Sequence, residues 1–359
     1  MQIKNKIYIQ SRAYIIFFSS VLFINIFFAQ PINANTFKIS DIEITEPFEL
    51  NFNREKVIDK GFKRAFIQLI STIVNSSDKK KIENTSLQTI KTLIDSFTIS
   101  DERFVNNEYQ SIFKVNFNKK NTLNFLEKKN IFPSIPIKKT LLLIPVLVDL
   151  QEDKIFIFND NIFYKNWNNK NENYFLINYL LPSEDIDDLN TISENISNIE
   201  DYNFKNIIKK YDIKDFIVAI FFKNNEKINI LSKINFNNLQ KINNKQFLNV
   251  SLQSNNDVEK LLLDLKITYE NYWKKLNQIN TSIKLPITIS IESSNFKKIQ
   301  NFENALLKMD LMSNYKISKF NNEKIYFKII YNGSPKRFLE DMSINKISID
   351  TQNQIWSVI

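Results

Sequence analysis

The chain has 359 residues and a lopsided composition: no Cys, no His and 2 Gly against 31 Phe and 13 Tyr, with a formal charge of +9. Without Cys there are no disulfides, thiolate metal sites or thiol nucleophiles, and without His no Ser-His-Asp triad or imidazole acid–base chemistry. Gly61 and Gly333 alone cannot build a dinucleotide fingerprint or a phosphate-cradling loop, while the length leaves room for two or three cores.

Residues 1–12 carry Lys4, Lys6 and Arg12 with no acid, and Ala13–Ala29 is an almost unbroken apolar run ending in Gln30-Pro31-Ile32-Asn33-Ala34. This is the pattern of a secretory signal peptide over 1–34, cleaved after Ala34, with a periplasmic destination for the remainder. An uncleaved inner-membrane signal anchor is the alternative, since the apolar run reaches the lower edge of a spanning helix. Removing the three leader cations takes the formal charge from +9 to +6. Only five of the cations are Arg, and the Lys are scattered among acids. Ile and Asn together make roughly 30 % of the chain, a bias of A/T-rich coding. The charge therefore points to no nucleic-acid partner.

Alternation over 36–45 predicts a strand, and apolar residues at three- and four-residue spacing predict a helix over Arg54–Val74. A second helix is expected with Leu87, Ile90, Leu93, Ile94 and Phe97 on one side, then a half-buried strand through Phe113, Val115 and Phe117 and a short helix over Thr122–Lys129. Together these make an N-terminal α+β unit, 36–132. Leu141–Val148 is a continuous apolar run, a strand buried on both faces, in which Pro145 implies a bulge or a partial edge. Strands at Tyr174–Leu181, Asp215–Phe222, Ile228–Phe236 and Phe247–Leu252, with helices at Phe204–Tyr211 and Asp257–Leu276, complete a central Rossmann-like α/β unit, 137–280. The last unit, 283–359, has the order βαββαβ of a ferredoxin-like split βαβ. Its strands are Ile283–Ile291, Tyr315–Phe320, Lys324–Tyr331 and one or two within Lys346–Ile359; its helices are Phe296–Met309 and a short one through Met342. Gly333 is expected to supply positive φ at the strand-to-helix turn before Pro335.

Five stretches carry a resemblance: Gly61-Phe62-Lys63-Arg64-Ala65-Phe66-Ile67-Gln68-Leu69; Phe113-Lys114-Val115-Asn116-Phe117-Asn118; Leu142-Leu143-Ile144-Pro145-Val146 followed by Phe158-Asn159-Asp160-Asn161 and Trp167; Leu181 to Leu189; and Ile329-Ile330-Tyr331-Asn332-Gly333 with Trp356. In order and spacing they resemble a family of exported proteobacterial proteins of unknown function, in its alphaproteobacterial form. That family usually has Gly where this chain has Ser183. The resemblance implies a cell-envelope location and brings no reaction, cofactor or substrate.

One cluster has chemical potential. Glu184, Asp185, Asp187 and Asp188 could hold Ca²⁺ or Mg²⁺, face a partner, or cap a helix whose first turn is acidic. Trp167, with Tyr164 and Phe163, could stack on a sugar or a partner surface, or pack down on its own domain. No pattern selects a catalytic pair, and no cofactor is implied. The leading expectation is a non-catalytic binding or scaffold protein of the envelope, with an envelope protein or other envelope component as partner and membrane contact only through an uncleaved leader. The alternatives are a carboxylate-based hydrolase or Ca/Mg-dependent enzyme using the 184–188 cluster, and a signal-anchored membrane subunit.

Overall fold

The computed structural model describes residues 37–169, 175–279, 284–309 and 311–359. The expected leader at 1–34, its cleavage point, and the first residues of the strands placed at Tyr174 and Ile283 lie outside the described residues. The protein is a mixed α/β chain with three sheets.

The first sheet is antiparallel, with β1 (Lys38–Pro47), β2 (Ile94–Val105) and β3 (Glu108–Phe117) in the order β1-β3-β2. Around it lie α1 (Arg54–Ile73), α2 (Leu87–Leu93) and α3 (Lys119–Lys128). Asn53 starts α1 by accepting the N–H groups of Glu55 and Lys56. The stripe Phe62, Ala65, Phe66, Leu69 and Ile73 is buried in one core with Phe113, Val115 and Phe117 of β3. The helix expected to reach Phe97 stops at Leu93. Ile94 and Phe97 instead open β2, opposite Phe117 and Val115. Ladder pairing of an Ile-, Phe- and Thr-rich run outweighs its accidental helical spacing.

The central sheet holds β4 (Lys139–Asp149), β5 (Lys154–Phe156), β6 (Ile177–Leu180), β7 (Phe216–Asn224), β8 (Lys227–Phe236) and β9 (Leu239–Phe247). β6, β4 and β7 are parallel; β5, β8 and β9 are antiparallel to their neighbours. One face packs on α4 (Ile162–Asn166) and α7 (Asn255–Leu276), the other on α5 (Ile186–Glu194) and α6 (Lys205–Lys209). Burial on both faces explains the unbroken run 141–148. Pro145 sits at a partial edge: β6 covers β4 up to Leu142 and β5 from Leu147, leaving the interval open. The Pro145 carbonyl points into that interval, where Asn161 Nδ2 donates to it at 3.1 Å. The missing N–H faces the same way, so it costs no ladder bond. The strand expected at Phe247–Leu252 lies earlier, as β9. It is an edge strand with mostly exposed residues, so it carries no hydrophobic alternation.

The third sheet has the order β11-β12-β10-β14-β13, from β10 (Leu285–Glu292), β11 (Met312–Phe320), β12 (Lys324–Tyr331), β13 (Ile349–Asp350) and β14 (Trp356–Val358), with helices α8 (Phe296–Lys308) and α9 (Pro335–Ile344). Its first strands follow the split βαβ pattern, but the closure differs. β13 runs in the direction of a ferredoxin-like last strand yet lies at the edge, while the chain doubles back and β14 joins β10 in parallel, Trp356 opposite Ile289. The return brings Trp356 and Val358 against the core. Neither glycine has positive φ, which corrects the expectation for Gly333.

The first and third sheets share one buried core, and the central sheet has one on each face. Backbone bonds from Ile135 N to Asn277 O (2.9 Å) and from Ile279 N to Pro133 O (2.7 Å) join the end of α7 to the segment after α3.

Asparagine does the conformational work usually given to glycine. Among the described residues twelve non-glycines have positive φ, and ten of them are Asn or Asp. Asn106-Asn107 and Asn237-Asn238 form two-residue hairpin loops with both φ positive, the handedness of type I′ turns. Asn238→Val is expected to lower the free energy of unfolding by about 1–2 kcal/mol, and Asn238→Gly to leave it within about 0.5 kcal/mol. Urea titration distinguishes the two.

Candidate binding surface

The acidic run is a helix start. Asp185 caps α5, accepting the N–H groups of Asp187 (2.9 Å) and Asp188 (3.2 Å). Its other oxygen, with Asp188 Oδ1, receives the Lys210 ammonium at 2.7 and 2.8 Å. That hydrogen bond from Lys210, helped by the N–H of Asp188, holds the Asp185 carboxyl below its usual range. Glu184 is turned away to accept Asn159 N at 3.2 Å, and Asp187 is exposed. The four carboxylates do not converge, and among the described residues no cluster of three His, Cys, Asp or Glu is arranged to hold a metal. Lys210→Met leaves Asp188, 6 % exposed, without its cation. A loss of about 1–3 kcal/mol is expected, read as a lower melting temperature.

Trp167 is fully buried, so it presents nothing to a partner. Its ring stacks on Tyr269 of α7 and meets Tyr179 of β6 edge-on, with centroids at 6.3 and 5.4 Å. The turn after α4 folds the indole onto the central sheet, because a large apolar side chain gains more by burial than by exposure.

Open α/β sheets bind ligands beyond the C-terminal ends of their strands, where strand order reverses. Here that place, between β4 and β7, is filled. Lys223 Nζ pairs with Asp149 Oδ2 at 2.5 Å, and the other Asp149 oxygen accepts Gln151 N at 3.0 Å. The hydrogen bond from the Lys223 ammonium, helped by the N–H groups of Gln151 and Glu152, holds the Asp149 carboxyl below its usual range. This is a lock on two strand ends.

An apolar surface left exposed among the described residues lies on the first sheet. Phe48, between β1 and α1, meets Phe104 at the tip of the β2–β3 hairpin, with Leu50, Phe52 and Val105 in the same two segments. Phe48 stacks edge-on against Phe104 (4.8 Å between centroids) and tilts onto Phe52 (5.0 Å); Phe52 and Phe104 both rest on the buried Tyr109 at 4.9 and 5.1 Å. The tip is rigid. Phe48 N donates to Asn107 O at 2.7 Å, and at its base Glu102 accepts both Arg54 (2.8 and 3.2 Å) and the Tyr109 hydroxyl. Yet Leu50 is 107 % exposed and Phe104 60 %. Glu49 and Glu108, both exposed, stand beside these side chains and make no ion pair among the described residues, so the rim is acidic.

Neither half of this tip is conspicuous in sequence. The alternating apolar and acidic residues of 46–52 are the only local signal, and they read equally well as the tail of a strand. No family model matches the chain, and no curated protein matches it. Among solved structures, one described only as an uncharacterized protein is similar over 40 % of this chain and 95 % of its own, at 10 % identity and a TM-score of 0.16. Among the described residues no helix is long and apolar enough to cross a membrane.

Proposed function

We propose that this is an exported, periplasmic, non-catalytic binding protein of the cell envelope, in keeping with the proteobacterial family it resembles, and that it engages a protein partner through the aromatic tip of its first sheet. The observation that carries the reading is the tip itself. A cluster of exposed aromatic and aliphatic side chains on a hydrogen-bonded, preorganised base is the anatomy of an interface hot spot. Its acidic rim favours a partner pocket lined by apolar residues and edged with Lys or Arg.

The test is cross-linking in the intact envelope, comparing the native chain with Leu50→Ser/Phe104→Ser. A discrete adduct of the native chain, lost in the variant while its melting temperature holds, is expected; truncating hot-spot side chains weakens binding by about thirtyfold or more. An adduct that survives the double substitution removes the tip from the interface. Sequencing the exported protein from its N-terminus tests the location, with a start at Asn35 expected and a start at Met1 favouring the anchor.

A further inference from the structure

We propose that the groove between α8 and the end of the chain is a phosphate-binding recess by which the third sheet rests on an anionic phospholipid surface. The groove has a volume of about 530 Å³ and is lined by Lys297, Lys298 and Lys308 of α8 and by Lys346 beyond α9. Its lining holds no acidic side chain, so that four lysines face the single α-carboxylate of Ile359, and none of the four forms an ion pair among the described residues. In sequence the lysines are spread over fifty positions; the fold gathers them. Lys297, Asn301, Asn304 and Lys308 follow one flank of α8 at helical spacing, over about 16 Å of helix.

One further observation singles out a lipid surface. The same helix exposes Phe296 (80 %) and Leu307 (71 %) on its other flank, eleven residues apart and so on one stripe, and Ile359, at the groove, is 72 % exposed. A small soluble anion would leave those side chains in water. A bilayer interface takes lysine to the headgroups and Phe and Leu to the acyl boundary. The lone acid of α8, Glu303, is half-buried. The backbone of Lys346, the one groove lysine outside α8, has φ 60° at the exit of α9, where Ile347 N bonds to Met342 O and Lys346 N to Ser343 O. Elsewhere the chain puts Asn or Asp in this conformation, with Phe158 the one other exception among the described residues. Lysine is more strained here than asparagine would be. This contact needs no leader, so it is independent of whether residues 1–34 are removed, and it uses a different face from the aromatic tip.

The experiment is sedimentation with vesicles, using the chain from Asn35. That chain contains every described element and lacks the apolar leader, which would partition by itself. Binding to vesicles of phosphatidylglycerol and phosphatidylethanolamine, absent with phosphatidylcholine and weakened by salt, is expected. Each lysine-to-glutamine change should weaken it about fivefold, and Lys297→Gln/Lys298→Gln/Lys308→Gln/Lys346→Gln several-hundredfold, with an unchanged circular dichroism spectrum. Lys346→Asn should raise the melting temperature while weakening vesicle binding, a combination that a purely structural residue would not produce. The proposal falls if the quadruple variant binds like the native chain, if phosphatidylcholine vesicles bind equally well, or if inorganic phosphate binds while anionic vesicles do not.

Discussion

Glu270→Leu is expected to lower the free energy of unfolding by about 3–5 kcal/mol. Glu270 lies on α7 and is 2 % exposed. One carboxylate oxygen accepts the N–H groups of Leu176 (2.8 Å) and Ile177 (2.6 Å) at the start of β6; the other has no partner. One turn further along, Lys274, 4 % exposed, donates to the carbonyls of Ser71 and, at 3.4 Å, Val74, the open C-terminal end of α1. The two charges, one turn apart on the same face of α7, therefore tie that helix to the start of β6 and to the end of α1. Leucine would orphan two buried N–H groups and leave the Lys274 ammonium without its countercharge. Glu270→Gln keeps an acceptor and should cost less, about 1–2 kcal/mol. Glu270→Leu/Lys274→Met should recover part of the loss, which a double-mutant cycle in urea would quantify. Equal losses for Gln and Leu would show that only the charge matters.

The same pair makes stability depend on pH. Burial pushes Lys274 down from 10.5 to about 8, so between pH 8 and 10.5 the unfolded chain holds a proton that the folded chain has released. Stability then rises with pH across that window, by up to about 3 kcal/mol. Lys274→Met should lack this rise, and parallel curves for the two proteins would sink the assignment. Glu270 acts in the opposite sense. Burial raises its carboxyl above 4.5, so its contribution is largest at low pH and is lost as pH climbs through the raised value.

What could be read from the sequence and what could not follow one physical line. Helices α1, α7 and α8 were legible because each has a polar N-cap, Asn53, Ser254 or Asn295, and one apolar face on one core. The parallel strands were legible because burial on both faces writes an unbroken apolar run. β2 and β9 were not, because they lie at sheet edges with mostly exposed side chains, and only their partners define them. The binding surfaces are harder still. Phe48 and Phe104 come from segments more than fifty residues apart, and Lys297 and Lys346 from positions nearly fifty apart; linear charge statistics dilute what a tight fold concentrates. For Trp167 the sequence left two readings, a contact surface or packing onto its own domain, and burial between α7 and β6 selects the second.

Gly333→Val is expected to cost about 3 kcal/mol, and the reason is space. A Cβ at this position would lie 2.7 Å from Tyr331 Cε1 and 3.2 Å from Leu311 Cδ1. The Tyr331 ring cannot easily give way. It is fully buried, lies edge-on to Phe338 at 5.1 Å between centroids, and its hydroxyl donates to Asp341 Oδ2 at 2.6 Å. Moving it adds the loss of a buried hydrogen bond to the strain of overpacking, each about 1–3 kcal/mol. Asparagine discriminates between steric and conformational accounts. Were left-handed backbone the issue, Gly333→Asn would be harmless, because this chain fills such positions with Asn. On the steric account it is nearly as damaging as Val, and an unfolding curve that overlays the native one would overturn it. Gly61 makes the same point inside α1, where an added Cβ would sit 3.1 Å from the Phe113 ring. There the better helix propensity of alanine, about 1 kcal/mol, offsets a softer clash, so Gly61→Ala should be close to neutral and Gly61→Val destabilising. Where a turn needs only handedness this chain mostly uses Asn or Asp, and its two glycines are the positions with an aromatic ring where the Cβ would be.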